Sequence, residues 1–406
     1  MIAVSPKASN CETALRSFAD AAHAVGVLHP DIALHCLRPH VIAGQARQFA
    51  AAFPGKVYYA VKANPHEAVL KALWYAGVRN YDVASIGEIE HVAAHLPRAG
   101  MAFMNPVKPR SAIARAYFDF GVRTFALDAE WELAKILRET GGARDLRLVV
   151  RLATPDGHSD WHVSSKFGAS VPDGIELLRA ARRSAALTGL TFHVGSLCLN
   201  PKAYRQALGL CGQVARGAGG GLDLIDVGGG FPVAYDGLTP PPLADYMAEI
   251  TAGLADLPLR PDAAICAEPG RALSAPGGSV VVRVLGRRGR QLFLNDGQYG
   301  GLASPGPPPP NLGLPLRLLG GSSGDLVPFE IFGPTCDGTD KLGGAFLLPE
   351  SVAEGDWIEI GQHGAYGSTL RSDFNGFQAS AFVCVDDGPL LDTPGYSHPR
   401  KKDRNP

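Results

Sequence analysis

A chain of 406 residues is longer than one hydrophobic core usually serves, so two domains are the default expectation. With 46% hydrophobic and 19% charged residues and a formal net charge of −1, it has no long-range attraction for nucleic acid or an anionic membrane, which leaves small-molecule chemistry as the better expectation. The opening MIAVSPKASNCETALRSF lacks a basic flank followed by an apolar core, and no run of about 18 apolar residues occurs anywhere, which points to a cytoplasmic protein with nothing to cleave.

The N-terminal segment, residues 1–39, is expected to join in part a C-terminal β domain. From about residue 40 to 271, short apolar runs alternate with Ala- and Leu-rich helical stretches: VYYAVKA, AVLKALWYAG, NYDVAS, IGEIEHVAAHL, MAFMNP, AIARAYFDFG, TFALD and so on to AAICAEPGR. Strand and helix alternating at this spacing is the signature of parallel βα units. There are enough of them for an α/β fold of the (β/α)8 TIM-like barrel type, with a doubly wound open sheet as the competing reading.

After Arg271 the helical periodicity stops. SVVVRVLG, RQLFLNDG, VPFEIFGP, DWIEIGQ and SAFVCVDD are strand-like runs between Gly, Pro and Asp turns, which predicts a mainly antiparallel β-sandwich or β-barrel domain over 272–387. SPGPPPPNLGLP (304–315) reads as a proline-rich loop and GGSSG (320–324) as a flexible connection. Residues 388–406 have the composition of a disordered tail. Seven cysteines, odd in number and without CxxC spacing, argue against a disulfide framework or a zinc site, so no metal is expected and most are buried fillers.

In a βα barrel the C-terminal strand ends form the active face. Here several strand-like runs close on polar groups: Lys62, Asp82, Arg151, His193 with Ser196, Gly228-Gly229-Gly230, and Glu268 with Arg271. Each has a plainer reading when taken singly: a snorkelling lysine, a tight glycine turn, a Glu–Arg ion pair, a structural histidine. Each also has a chemical one. A desolvated lysine offers a neutral amine that forms an imine with a carbonyl. Backbone N–H groups of consecutive glycines approach a phosphate closely, and Arg271 suits the same anion. Glu268 suits a protonated ring nitrogen, and the His193 imidazole a ring face, with the Ser196 hydroxyl near the phosphate. An aldehyde, a phosphate, a pyridine nitrogen and an aromatic face together describe pyridoxal 5'-phosphate.

The motifs YYAVKANP, YDVAS, FHVGS, DVGGGFP, AEPGR, GPTCDGTD, GAYG and FNGF resemble, in order, those of the barrel-type (fold type III) pyridoxal-phosphate decarboxylases of basic amino acids. These are the ornithine, lysine and diaminopimelate decarboxylases, and the similarity runs from roughly residue 30 to 380. The resemblance implies that Lys62 holds the cofactor covalently and that His193 stacks on its ring. It further implies that Ser196, Gly228, Gly229, Gly230, Gly270, Arg271 and Tyr366 bind its phosphate end, with Glu268 on the pyridine nitrogen and Asp82 and Arg151 completing the shell. It implies a head-to-tail homodimer in which Cys336 protonates the substrate carbon after carbon dioxide leaves. Asp337 would hold the distal amine of the substrate in the neighbouring subunit's site, where Tyr366 also meets the substrate; with the usual further acid absent, Asp340 is the one candidate to assist it.

Glu268 favours the decarboxylases over the racemase branch of the fold, where the resemblance implies an arginine in its place. CDGTD resembles the ornithine and lysine enzymes more than the diaminopimelate enzymes, so ornithine or lysine is the expected substrate and a diamine the product. One departure stands against this. Ornithine- and lysine-specific members are expected to carry a further acidic residue after NDGQYGGLA, whereas no Asp or Glu occurs between Asp296 and Asp325. The alternatives are an unusual diamino acid or conjugate, diaminopimelate, or a non-catalytic regulator, which would be expected to lose Lys62 or Cys336.

Overall fold

The computed structural model describes residues 15–154, 166–303, 313–320, 324–377 and 379–398. Most of the proline-rich loop, the centre of GGSSG and the end of the tail lie outside the described residues. Two short N-terminal strands, β1 (Ser17–Phe18) and β2 (Ala33–Leu37), precede a closed, all-parallel barrel. Its strands are β3 (Lys56–Ala60), β4 (Asn80–Val83), β5 (Gly100–Phe103), β6 (Thr124–Leu127), β7 (Arg147–Arg151), β8 (Leu187–Thr191), β9 (Leu222–Asp226) and β10 (Leu259–Ala267), with β10 closing on β3. The open-sheet alternative is therefore excluded.

The barrel interior is filled by small and medium side chains, among them Ala102, Ala126, Val149, Leu224 and Cys266, so it is a packed core and not a pore. Outside it, the buried stripes of the surrounding helices, such as Ile89 and Val92 of helix Ile86–His95, pack on the outward faces of the strands. That helix begins at a reciprocal cap: the Ser85 hydroxyl accepts from Glu88 N–H, while the Glu88 carboxylate accepts from Ala84 N–H at 2.6 Å. The turn leaving β4 is thereby pinned beside Asp82.

The second sheet holds β11 (Gly278–Arg288), β12 (Gln291–Leu294), β13 (Leu316–Leu319), β14 (Leu326–Phe332), β15 (Phe346–Pro349), β16 (Trp357–Ile360) and β17 (Ser380–Val385), together with β1 and β2. Most pairings are antiparallel, but β1–β17, β2–β17 and β12–β14 run parallel. The sequence reading overlooked β13 and β15, both short strands hidden among turn residues. β2 lies between β11 and β17, so the N-terminal segment is built into the β domain. Arg38 locks this junction, its buried guanidinium bonding Glu359 and Asp387, each at 2.8 Å.

The expectation of a disordered tail from residue 388 is wrong for residues 388–398. Tyr396 is 8% exposed within the barrel-side core, and the Ser397 backbone N–H donates to Gln48 at 2.8 Å. The composition of this stretch is polar, but Tyr396 anchors it among partners from distant parts of the chain. No helix among the described residues is long and apolar enough to cross a membrane.

Candidate active site

The strand-end polar groups converge on the C-terminal mouth of the barrel. Lys62 lies in a 3-10 turn, Val61–Ala63, directly after β3. Its Nζ donates to Asp82 Oδ2 at 3.0 Å across the β3–β4 pair. Burial opposes the charge on Lys62, but Asp82 and then Glu268 outweigh it and raise its pKa, so the amine is an ammonium at neutral pH. The expectation of a neutral, desolvated lysine is thereby corrected: the Asp82 carboxylate facing the amine holds its proton.

Glu268 follows β10 and is buried, and its Oε1 has no hydrogen-bond partner. Burial, then Asp226, push its pKa well above the ordinary carboxyl range, and Asp226 itself is pushed up by burial to about 7. The two carboxyls form a buried pair that retains a proton at neutral pH, as two acids sharing a low-dielectric site must. Asp226 is further held by Gly228 N–H at 2.8 Å. Sequence reasoning passed over Asp226 although it opens the DVGGGFP motif, because only tertiary packing sets it beside Glu268.

His193 is buried near Arg151 and Lys62, and burial, Arg151 and Lys62 together lower its pKa to about 3. It is a neutral ring, and because its Nδ1 accepts from Gly195 N–H at 3.0 Å, its proton sits on Nε2. Arg151, at the end of β7, has its pKa lowered by burial against the opposing charges of Glu268, Asp128 and Asp82.

The glycine loop forms a close cradle. A Cβ on Gly228 would collide with the Phe192 carbonyl oxygen, and one on Gly229 would stand 2.7 Å from the Glu268 carbonyl oxygen and 3.4 Å from His193 Nε2. Gly230, at φ +101°, would meet the Gly195 carbonyl oxygen. Gly270 packs against the lysine turn, where a Cβ would come within 2.9 Å of Ala63 Cβ. Arg271 is buried, donating from Nη1 to the Tyr235 hydroxyl at 2.7 Å and from Nη2 to Ser196 Oγ at 3.3 Å. The Tyr366 ring covers the guanidinium at 4.8 Å. Tyr366 has φ +69°, a strained value for a tyrosine, and its N–H is tied to the Ala63 carbonyl at 2.7 Å. Tyr235 was not singled out from the sequence, since nothing local marks a tyrosine beyond a glycine turn as an arginine partner.

Lys62 and Tyr366 also border an outer cavity of about 750 Å³ that reaches the β domain and is lined further by His66, Glu88, His91 and Arg371. Cys336 and Asp337 do not line it. Cys336 is exposed, its N–H donating to Asn375 Oδ1 at 3.1 Å. Asp337 accepts from the Tyr299 hydroxyl at 2.6 Å, a bond that holds it below the usual carboxylate range. The Tyr299 ring lies tilted against Phe374, with centroids 4.8 Å apart. Asp340 is not available to a substrate: it is 2% exposed, and its oxygens accept from Gln298 N–H, Thr335 N–H and the Thr335 hydroxyl. It organises the loop that displays Cys336 and Asp337.

A partnerless buried carboxyl oxygen, a cradle that Cβ atoms would fill, and a buried arginine flanked by hydroxyls fit a pyridine ring bearing a phosphate. The mouth of this barrel is that of a pyridoxal-phosphate protein. Residues 40–275 match the family described as "Pyridoxal-dependent decarboxylase, pyridoxal binding domain", and the chain belongs to it. Among curated relatives, the lysine/ornithine decarboxylase of Selenomonas ruminantium is 33% identical over 82% of this chain and 84% of its own length. Antizyme inhibitor 2 of Xenopus laevis is 34% identical over 82% and 76%. The solved lysine/ornithine decarboxylase of Vibrio vulnificus complexed with cadaverine superposes with a TM-score of 0.76 at 29% identity, covering 91% of this chain and 100% of that one. The chain is a pyridoxal-phosphate-dependent amino-acid decarboxylase.

Proposed function

We propose that the protein decarboxylates ornithine or lysine to the diamine, as a head-to-tail homodimer with shared active sites. The observation that carries the cofactor assignment is the meeting of Lys62–Asp82, the partnerless Glu268 Oε1 and the Arg271–Ser196 pair at one barrel mouth. Lys62 would hold the cofactor through its Nζ, while Asp82 orients that amine and takes up its charge. Arg271, Ser196 and the glycine cradle would bind the phosphate, and the Asp226–Glu268 pair would keep a proton at the ring nitrogen. Bound there, the cofactor supplies an electron sink for the pair left when carbon dioxide departs.

The neutral His193 ring would cover one face of the cofactor without competing for its charge. Cys336 would give its thiol proton to the substrate carbon, and Asp337 would receive the distal ammonium. Cys336 is exposed, Asp337 is half-buried, and both stand off the Lys62 cavity of their own chain, which favours service to a second copy. Exposed Phe374 and Phe377 beside them are apolar area for that copy to cover. The free cysteines among the described residues suit a reducing compartment, and we assign the enzyme to the cytoplasm.

One observation favours a second reading of the substrate. Arg371 lines the cavity of Lys62, and the expected acid between Asp296 and Asp325 is missing. A diamino acid or conjugate carrying a second anionic group would meet Arg371 there. The test is carbon dioxide release by purified, cofactor-loaded protein from ornithine, lysine, arginine and diaminopimelate. Release from ornithine or lysine, abolished by Lys62→Ala, is the expected result. Release from diaminopimelate alone would favour the second reading, and a cofactor-loaded protein inert on the whole panel would refute the proposed substrates.

A further inference from the structure

We infer that Tyr235 is a positioning residue for the cofactor phosphate, acting through Arg271 and held in place by the C-terminal segment. The inference rests on the cofactor reading above. A buried guanidinium has five donors in a rigid plane, so its usefulness to a phosphate depends on which edge is turned toward the ligand. Here the Tyr235 hydroxyl takes Nη1 at 2.7 Å, Ser196 takes Nη2 at 3.3 Å, and the Tyr366 ring lies over the face. Tyr235 therefore helps to fix the rotation of the plane, by a different nitrogen from the one Ser196 takes.

Tyr235 is itself buried and over-determined. Its N–H and carbonyl pair with Leu238 at 3.0 and 2.9 Å. On one side, Ala234 N–H donates to Thr393 Oγ1 at 3.0 Å and the Ala234 carbonyl accepts from Gln362 Nε2 at 2.6 Å. On the other, Asp236 exchanges both backbone hydrogen bonds with Gly313. The barrel loop, the β domain and the C-terminal segment thus converge on the tyrosine that sets Arg271. The Thr393 carbonyl accepts in turn from the N–H of the buried Tyr396 at 3.1 Å. Such multiple clamping is what keeps a charge-bearing group in one orientation.

The test uses full-length protein stripped of cofactor with a carbonyl reagent and titrated with pyridoxal phosphate and, separately, with pyridoxal, which lacks the phosphate. Binding is read from tryptophan fluorescence and from the visible spectrum. Tyr235→Phe removes one charge-assisted hydrogen bond and is expected to weaken pyridoxal phosphate about tenfold while leaving pyridoxal within about twofold of wild type. Thr393→Val is expected to show the same selectivity with a smaller loss, and it serves if Tyr235→Phe does not fold. Equal losses for the two ligands would assign Tyr235 a merely structural role and overturn the inference, as would unchanged affinity for pyridoxal phosphate. A wild-type protein that binds neither ligand would overturn the cofactor reading and this inference with it.

Discussion

Substituting Gly230 by alanine separates two costs that the cofactor cradle imposes on the chain, because a matched control exists elsewhere in the barrel. Gly230 has φ +101° and Gly77 φ +104°, yet a Cβ on Gly77 meets nothing within 4 Å. A Cβ on Gly230 collides with the Gly195 carbonyl oxygen and lies 3.0 Å from Val194 Cγ2 and 3.3 Å from the Tyr204 hydroxyl. Both substitutions pay a backbone strain of about 1–3 kcal/mol, and both gain the same small entropy advantage of alanine in the unfolded chain. Gly230→Ala adds about 1–3 kcal/mol for overpacking, because the obstacle is backbone and not a side chain that swings aside.

The strain alone should lower the melting temperature of Gly77→Ala by a few degrees, at roughly 2–4 °C per kcal/mol for a domain of this size. Gly230→Ala should lose about twice as much. The colliding carbonyl also belongs to the loop carrying His193 and Ser196. Cofactor affinity should therefore fall more than about tenfold in Gly230→Ala and stay at the wild-type value in Gly77→Ala. Thermal unfolding of the stripped proteins and titration with pyridoxal phosphate measure both quantities. Wild-type cofactor affinity in Gly230→Ala, or equal losses of affinity in the two variants, would refute the reasoning.

The buried carboxyl pair makes a prediction about pH. Asp226 is raised to about 7, and Glu268 is raised well above the ordinary carboxyl range by burial and by Asp226, whereas unfolded carboxyls titrate near ~4. Their contribution to stability is thus complete below about pH 4 and is lost as pH rises toward 7. In the stripped protein, the unfolding free energy of Asp226→Asn minus that of wild type should rise over this range. Histidines such as His193, which act in the opposite direction, cancel in that difference, and a difference independent of pH would contradict the shared proton. Site sharing between subunits is tested by mixing Lys62→Ala with Cys336→Ala under conditions that exchange subunits. Each variant alone should be nearly inactive, and the mixture should recover about a quarter of wild-type turnover, as expected for one intact site in each mixed dimer. No recovery in a mixture shown to contain mixed dimers would place both residues in one chain's site or remove Cys336 from the chemistry.

Much of this molecule was legible in its sequence because the informative features are local. The alternation of strand and helix from residue 40 onward is a short-range periodicity, and each catalytic candidate of the barrel stands within a few residues of a strand's end, as Lys62, His193 and Glu268 do. In a parallel barrel every strand ends on the same face, so recognising the strands is nearly enough to collect the site. The mixed β domain was less transparent. β13 and β15 are short, and their pairing with β16 and β14 is decided by long-range partners more than by propensity.

Tertiary structure alone decided the charge states and supports of the site. Lys62 is cationic because the Asp82 carboxylate faces it, and the Asp226–Glu268 pair keeps a proton because both carboxyls are buried together. Asp340 resembles a ligand in the sequence but is consumed by Gln298 and Thr335. Tyr235 reaches Arg271 across 36 residues, and Thr393 reaches Ala234 across 159. The polar stretch 388–398 is held in place because Tyr396 finds a place in the barrel-side core. Composition and spacing register what a segment prefers by itself, whereas desolvation, shared protons and partner choice depend on which groups the fold brings within a few ångströms.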